Sequence, residues 1–193
     1  MTMRIWAVVC VAATLLAPGM EARAGQVPLG ICHDYGCRVQ NRISFDDTVF
    51  DDLARTLRAA DDAASERHAV AAVVARMYVE AGKQTPIWRD HGGDLNDDTT
   101  VEGSMDCIDH ASNTTTFLGL LQARGLLRFH RLAAPARRGV FAQHWAAVLV
   151  ERETGEAFTV DSWFYEFGTP AVVMPLADWK AGRRPPGIIA GFR

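Results

Sequence analysis

Three side chains in the second half of the chain could together perform covalent catalysis: Cys107, His144 and Asp161. A cysteine sulfur can attack a carbonyl carbon, an imidazole can remove the thiol proton, and a carboxylate can orient the imidazole. Cys107 stands at the predicted N-terminus of a helix, where backbone N–H groups and the helix dipole lower the pKa of a thiol. The residue types and their order predict a nucleophile, a general base and an orienting residue.

Two predicted strands place His144 and Asp161 at corresponding positions. His144 opens a strand that runs to Glu151, and Asp161 lies in a strand over Ala157 to Trp163. Thr154-Gly155 between them is typical of a tight turn, so the two strands are expected to form a hairpin. Counted outward from this turn, His144 and Asp161 fall near the same end, within reach of a hydrogen bond.

His110 is a second candidate for the general base, because it lies one helical turn after Cys107 on the same helix face. It lacks an obvious orienting carboxylate, although Asp106 and Asp109 are near. Each member of the predicted triad also has a purely structural interpretation: a packed cysteine, a histidine at a strand end and an aspartate that begins a turn. A zinc site built from these side chains is a further alternative. No paired-ligand spacing supports it, so we expect neither a metal nor a cofactor.

Three helices are predicted around these residues. The first runs over about Phe45 to Ala60, with Ser44 and the acids that follow it at its start. The second runs over about Ala64 to Ala81 and is stopped by Gly82. The third begins near Asp106, carries Cys107 and ends at about Arg124, before Gly125.

The remaining segments complete an α+β prediction. Leu126 to Leu132 is predicted to be a strand, whereas Gly25 to Arg42 and the proline-containing tail after Trp163 are predicted to be irregular. Helices precede strands along the chain, and no repeat or second domain is apparent. With 193 residues, the chain suits one domain, which we place at residues 25–193.

Residues 1–24 have the pattern of a secretory signal peptide. Arg4 precedes an apolar run from Ile5 to Ala17, and Ala22-Arg23-Ala24 matches the small-x-small cleavage pattern. The run is shorter than the about 20 residues that span a bilayer. We therefore expect a periplasmic or secreted product with no stable membrane insertion. An uncleaved anchor or a lipid on Cys10 is the less favoured alternative.

Removal of the predicted signal peptide leaves an odd number of cysteines. Cys10 lies within it, which leaves Cys32, Cys37 and Cys107. An oxidising compartment favours a disulfide across the short Cys32–Cys37 loop. A metal site that adds His33 and Asp34 is the alternative. In either case Cys107 is the odd thiol.

The chain resembles the bacterial transglutaminase-like cysteine peptidases of the papain-like superfamily. Three segments carry the resemblance: Gly103-Ser104-Met105-Asp106-Cys107, His144-Trp145-Ala146-Ala147-Val148 and Val160-Asp161-Ser162-Trp163. The resemblance covers about a third of the chain. It implies a papain-like/transglutaminase-like core in which N-terminal helices pack on a small antiparallel sheet. It also implies that Cys107 is the nucleophile, His144 the base and Asp161 the orienting residue. The local signature of papain around its cysteine is absent, so classical protease activity is not implied.

An oxyanion site needs donors near Cys107. The Cys107 backbone N–H at the helix start is one, and the resemblance implies a second from an upstream Gln or Trp side chain. Gln84 and Trp88 precede the nucleophile in a loop-rich stretch, and Gln143 adjoins the base. These three residues stay open as alternatives. Trp88 is expected either in the core or lining a cleft.

The resulting prediction is a secreted or periplasmic cysteine-dependent amide hydrolase or acyl transferase that acts through a Cys107 thioester on a peptide or protein substrate. A non-catalytic binding or structural module with a relic triad is the alternative. The formal charge of −3 argues against a nucleic-acid partner, because no broad basic surface is available. An acidic chain hints at neutral or cationic partners instead. Hydrolysis and transamidation differ only in whether water or an amine attacks the thioester, which the triad does not determine.

Overall fold

The computed structural model describes residues 27–93, 101–140 and 143–186. Over these ranges the chain forms four α-helices and two antiparallel sheets, which confirms the α+β prediction. The predicted signal peptide lies outside the described residues. No helix within them is both long enough and apolar enough to cross a membrane.

The chain forms first a short hairpin, then a set of helices and then a second sheet. Its elements are, in order, β1 (Val27–His33), β2 (Val39–Phe45), α1 (Asp47–Arg58), α2 (Ala63–Gly82), a 3-10 turn (Pro86–Arg89), α3 (Cys107–Ala123), β3 (His130–Arg138), β4 (His144–Glu151), β5 (Ala157–Asp161), β6 (Val172–Pro175) and α4 (Leu176–Lys180). The larger sheet has the strand order β3-β4-β5-β6, and β1 pairs only with β2. Within each sheet, strands that are consecutive in the chain are therefore neighbours.

Helix α3 occupies the centre of the molecule. Its residues Phe117, Leu118 and Leu121 are fully buried in one core with Ala147 and Leu149 of β4. Burying a side chain of this size stabilises a fold by about 1.5–3 kcal/mol. The same helix also packs against β1. The start of α3 is thus held between the β1–β2 hairpin and the larger sheet.

The N-terminus of α3 is determined by two acids around Cys107. The Asp106 carboxylate accepts the backbone N–H groups of Ile108 and Asp109, each at 2.9 Å. The Asp109 carboxylate accepts the Asp106 N–H in return, at 3.2 Å. This reciprocal capping satisfies N–H groups that a helix start leaves unpaired. It makes Cys107 the first residue of the helix.

The predicted second and third helices and the β4–β5 hairpin are confirmed. Each of their ends lies within two residues of its predicted position. The first helix begins later than expected, because Asp46, and not Ser44, caps it by accepting the Val49 N–H at 2.9 Å. Ser44 and Phe45 belong to β2 instead.

The predicted irregular lead-in is wrong. Residues 27–45 form the β1–β2 hairpin, with Val27 opposite Phe45 and His33 opposite Val39. The turn uses three non-glycine residues with positive φ, Asp34, Tyr35 and Cys37. Residues other than glycine rarely adopt positive φ, so residue propensities did not predict a hairpin turn here.

Two further boundaries differ from the prediction. Leu126 and Leu127 are buried loop residues, and the strand begins only at His130. The register of β3 shifts between Ala133 and Ala136, where Pro135 has no N–H to donate. The tail after Trp163 is not wholly irregular either, because it supplies β6 and the short helix α4.

Candidate active site

A buried histidine–carboxylate pair joins β4 to β5. His144 Nε2 lies 2.7 Å from Asp161 Oδ2, and both residues are buried. Ala147 of β4 pairs with Val160 of β5, which brings the start of one strand beside the end of the other. Because a carboxylate only accepts hydrogen bonds, it holds the proton on Nε2 and leaves Nδ1 as the basic nitrogen of a neutral ring. The predicted contact between these two residues is present.

Both oxygens of Asp161 are occupied. The Trp179 indole Nε1 donates to Oδ2 at 2.8 Å, and the Trp163 backbone N–H donates to Oδ1 at 3.2 Å. Trp179 is fully buried in α4. The tail that looked irregular in sequence therefore supplies a second donor to the orienting carboxylate.

Three aromatic rings surround the His144 imidazole. Its centroid lies 4.7 Å from that of Trp163, 5.3 Å from Phe164 and 5.5 Å from Trp179. Apolar rings exclude water from one side of the pair and strengthen the hydrogen bond to Asp161. They also prevent the imidazole from rotating away from the carboxylate.

Cys107 lies beside this pair. Its side chain is partly buried against the cluster that contains Trp163, Phe164 and Trp179. The thiol donates to the backbone carbonyl of Gln143 with a sulfur–oxygen distance of 3.6 Å. Gln143 directly precedes His144, so the fold brings the candidate nucleophile close to the segment that carries the candidate base. His144 Nδ1 makes no hydrogen bond to any other described residue, and it remains available to a thiol.

The electrostatic setting of the thiol differs from expectation. Burial raises the pKa of Cys107 to about 11, and the negative charges of Asp106 and Asp161 act in the same direction. The Trp145 backbone N–H lowers the pKa, but by less than the other effects raise it. The predicted lowering of the thiol pKa is therefore wrong, because desolvation outweighs the hydrogen bonds from nearby backbone N–H groups. At neutral pH the sulfur is protonated and needs a base before it can attack.

His110 belongs to a different, buried network. Its Nε2 lies 3.0 Å from Asp90 Oδ2, and its Nδ1 lies 2.9 Å from Ser162 Oγ. Ser162 Oγ in turn contacts the hydroxyls of Thr114 at 3.0 Å and Tyr78 at 3.1 Å. Both ring nitrogens are therefore engaged.

This network also corrects the assumption that His110 lacks an orienting acid, since Asp90 fills that position. Asp90 Oδ1 additionally accepts the Met105 N–H at 2.7 Å. The network thus links the segment before Cys107 to Ser162, the residue after Asp161. Both ring nitrogens of His110 have partners in this network, whereas His144 uses only Nε2 within the described part of the chain, so His144 is the better candidate for the base.

The Cys32–Cys37 disulfide is present, as predicted. Its loop contacts the first two turns of α3: Asp109 Oδ1 accepts the Cys37 N–H at 2.6 Å, and Asn113 Oδ1 accepts the Cys32 N–H at 2.7 Å. Asp34 Oδ1 also accepts the Gly103 N–H at 2.8 Å. The loop therefore holds both chain segments that flank Cys107.

The alternative metal site at this loop has a poor donor set. Cys32, Cys37 and Asp109 bring their ligand atoms within 4.8 Å of one another. The two sulfurs, however, are joined in the disulfide and are not thiolates. His33 uses its ring nitrogens on Asp34 and Asn41, at 2.8 and 2.7 Å.

The three oxyanion candidates are placed very differently. The Gln84 amide donates to the Ser44 carbonyl at 2.9 Å and accepts the Ser44 N–H at 3.1 Å, so both of its ends are engaged on β2. Trp88 is 58% exposed, which excludes the core, one of the two positions expected for it. Gln143 is exposed and touches the Cys107 thiol through its backbone. Of the three, Gln143 contacts Cys107, but through its carbonyl, which is an acceptor and not an oxyanion donor.

Sequence reasoning missed Trp179, Asp90 and the aromatic rings around the His144 imidazole. Asp90 follows the segment Pro86-Ile87-Trp88-Arg89. An acid in a loop is common, so the sequence gives no signal that Asp90 is buried. Trp179 lies in a tail whose prolines suggested an irregular path. A large aromatic residue in such a tail is the one signal that could have indicated a docked segment.

Comparison with known proteins identified no relative. Neither a family model, nor a curated protein, nor a solved structure matched the chain.

Proposed function

We propose that this protein is a cysteine-dependent amide hydrolase or acyl transferase with Cys107 as nucleophile, His144 as general base and Asp161 as orienting residue. The observation that carries the proposal is the buried 2.7 Å contact between His144 Nε2 and Asp161 Oδ2, beside a thiol at a helix N-terminus. A cysteine, a histidine and a carboxylate in this arrangement perform nucleophilic acyl transfer. The helix-then-strand-then-strand order supports the resemblance to a transglutaminase-like core.

The reaction follows from the orientation of the imidazole. His144 Nδ1 accepts the thiol proton while the sulfur attacks the amide carbonyl carbon. The resulting oxyanion is placed near the Cys107 backbone N–H, which points outward from the start of α3. The C–N bond then breaks, and the departing amine takes the proton from His144. A thioester remains on Cys107.

The second half of the cycle uses the same base. His144 removes a proton from water or from an amine, which attacks the thioester and restores the thiol. Because the thiol pKa is raised to about 11, proton removal and sulfur attack are coupled. Asp161 stabilises the imidazolium formed in each step, and it is held in place by the Trp179 and Trp163 donors.

The experiment is acylation by p-nitrophenyl acetate, followed as release of nitrophenol and as acetylation of Cys107 in mass spectrometry. Wild-type protein should show a burst and an acetyl group on Cys107. Cys107→Ala should show neither, and Asp161→Asn should react on the order of a thousandfold more slowly, because the imidazole loses its orientation and its counter-charge. His68→Ala, an exposed change on α2, is the matched control.

A non-catalytic module on the same fold is the second candidate, and the raised thiol pKa is the observation that favours it. A thiol that stays protonated and bonded to the Gln143 carbonyl would be inert. In that case wild-type and Asp161→Asn proteins would react with the ester equally slowly. That result would contradict the enzymatic proposal.

We also propose that the protein acts in the periplasm or outside the cell. The Cys32–Cys37 disulfide supports an oxidising compartment. Cysteine alkylation of protein taken directly from the cell envelope, with and without prior reduction, tests this. Two additional labelled cysteines should appear only after reduction.

A further inference from the structure

Arg138 lies next to the proposed catalytic pair. It is the last residue of β3 and pairs directly with His144, the first residue of β4. Residues directly opposite each other in an antiparallel pair project from the same face of the sheet. The Arg138 guanidinium lies 4.6 Å from the Trp179 ring centroid and 5.7 Å from that of Phe164. The same two rings enclose the His144 imidazole.

The guanidinium is only partly satisfied. Its Nη1 donates to the Trp179 backbone carbonyl at 2.6 Å. Across the described ranges, no carboxylate oxygen lies within 4.0 Å of an Arg138 nitrogen. Arg67, on α2, provides a contrast, because it forms a 2.7 Å ion pair with Glu151. An arginine presents five N–H donors, so several of those on Arg138 have no partner from the described chain.

Asp161, the acid whose charge acts on Arg138, is already engaged by other donors. Asp161 holds His144 and Trp179 on one oxygen and the Trp163 N–H on the other. Burial lowers the pKa of Arg138, and the charge of Asp161 opposes that shift. The guanidinium nevertheless stays charged at neutral pH, since an arginine in a protein does not lose its proton. A half-buried cation with unused donors therefore lies against two of the rings that surround the His144 imidazole.

We propose that Arg138 binds a carboxylate of the substrate close to the acyl group that Cys107 attacks. The substrates are accordingly acidic peptides, recognised through an Asp or Glu side chain or through a free C-terminus. This inference rests on the proposed function and names the substrate class for the same site. It also reverses the hint from net charge, because a local guanidinium acts on a bound group more strongly than a weak overall charge of −3.

The planar fork of arginine suits a carboxylate better than a lysine does. Two parallel N–H donors match the two oxygens, and stacking on Trp179 and Phe164 holds the plane in place. The alternative is that Arg138 only positions Trp179 by binding its carbonyl. In that case its loss would slow every substrate by the same factor.

The first experiment compares two activated esters as acyl donors. The α-p-nitrophenyl ester of N-acetylglutamate carries the side-chain carboxylate, and that of N-acetylglutamine is its neutral counterpart. The second experiment uses N-acetyl-glycylglycine and its C-terminal amide as inhibitors of the glutamine ester reaction. Together they distinguish a side-chain carboxylate from a free C-terminus.

Wild-type protein should prefer the acidic member of at least one pair by about tenfold to a hundredfold, the range expected for charge-assisted hydrogen bonds. Arg138→Gln should lose most of this preference while it still reacts with the neutral ester. Arg137→Gln, an exposed change next to it on the same strand, should keep the preference. Arg138→Lys should retain only part of it, and this variant serves as the test if Arg138→Gln does not fold.

Two results would overturn the inference. One is a wild-type protein that acylates Cys107 equally well with both esters and is inhibited equally by both dipeptides. The other is an Arg138→Gln protein that reacts more slowly with both esters but keeps their ratio. Failure of the proposed function looks different, because then Cys107→Ala would release nitrophenol as fast as the wild type from either ester.

Discussion

At the scale of residues, Cys107 combines two opposing effects. Its position at the start of α3 brings it close to helix N–H groups, yet it packs against the aromatic cluster and lies near Asp106 and Asp161. Burial and negative charge both disfavour a thiolate, and they outweigh the backbone N–H groups that favour it. In the proposed mechanism the Cys107 thiol is therefore protonated at rest and reacts only when His144 takes its proton. This is a different mode of activation from a preformed thiolate–imidazolium pair.

The pH dependence of Cys107 alkylation follows from this pKa. Only the thiolate reacts with iodoacetamide, and a pKa raised to about 11 keeps the thiolate scarce at lower pH. At pH 8 we expect labelling at least about a hundredfold slower than that of a free cysteine thiol of pKa about 8.5. The rate should still be rising at pH 10. The measurement is intact-mass labelling between pH 7 and 10.5.

The control for this prediction is Cys107→Ala in a chain that lacks residues 1–24 and therefore Cys10. It should take up no label, because Cys32 and Cys37 are joined in a disulfide. A half-maximal rate at or below pH 8.5 would show that the thiol pKa is not raised. The result would then favour the preformed thiolate that its helix position suggests.

At the scale of elements, the β1–β2 hairpin and α3 act together. The disulfide loop at the tip of the hairpin bonds to Asp109 and Asn113 of the helix and to Gly103 of the segment before it. These contacts lie on both sides of Cys107 along the chain. The loop is therefore a structural support for the nucleophile, although it contributes no reacting atom.

Removal of the disulfide by the double change Cys32→Ser/Cys37→Ser tests this support. A cross-link over so short a loop stabilises a fold by about 2 kcal/mol through the unfolded state. We expect the free energy of unfolding in urea to fall by about that amount. We also expect slower acetylation of Cys107 by p-nitrophenyl acetate in the folded protein, because the start of α3 is less firmly held.

Dithiothreitol provides the internal control for the double variant. It should lower the stability of wild-type protein toward that of the variant and leave the variant unchanged. If the folded variant were acetylated at the wild-type rate, the loop would stabilise the fold without positioning the nucleophile.

At the scale of the whole molecule, a second buried ion network lies far from the site along the sheet. Glu66 of α2 accepts His130 Nδ1 at 2.7 Å and the Arg128 N–H at 2.6 Å, and Glu66 and His130 are fully buried. His130 pairs with Glu151 at one end of the β3–β4 ladder, whereas His144 lies at the other end. This network joins a helix to the sheet and does not touch the candidate site.

Glu66→Ala should therefore separate stability from activity. The change leaves His130 and two backbone N–H groups buried without their acceptor, which costs about 3–5 kcal/mol. Urea denaturation should show this loss, while the remaining folded protein acetylates Cys107 at the wild-type rate. Glu156→Ala, an exposed change in the β4–β5 turn, should alter neither. A large fall in the acetylation rate of folded Glu66→Ala would mean that the two ends of the sheet are coupled.

Local patterns explain what could be predicted. The acids around Cys107 define a helix start through contacts only two or three residues apart, and the Thr154-Gly155 turn defines a hairpin in the same way. The pairing of His144 with Asp161 follows from counting along that hairpin. The Cys32–Cys37 disulfide joins residues five positions apart and was equally accessible to sequence reasoning.

Contacts between distant segments explain the features that could not be predicted from the sequence. Trp179 reaches Asp161 only after β6 has paired with β5, and Asp90 reaches His110 only after the loop before α3 has folded back. The β1–β2 hairpin depends on left-handed residues that propensities disfavour. None of these contacts leaves a periodic trace in the sequence.

The sequence by itself thus determined the α+β class, the helix that carries Cys107, the hairpin that carries His144 and Asp161, and the short disulfide loop. All of these depend on interactions between residues close in the chain. Only the tertiary structure decided the partners of Asp161 and His110, the place of Arg138 beside the imidazole, and the direction of the Cys107 pKa. The physical reason is that a pKa responds to burial and to surrounding charge, and both arise only when distant segments pack together.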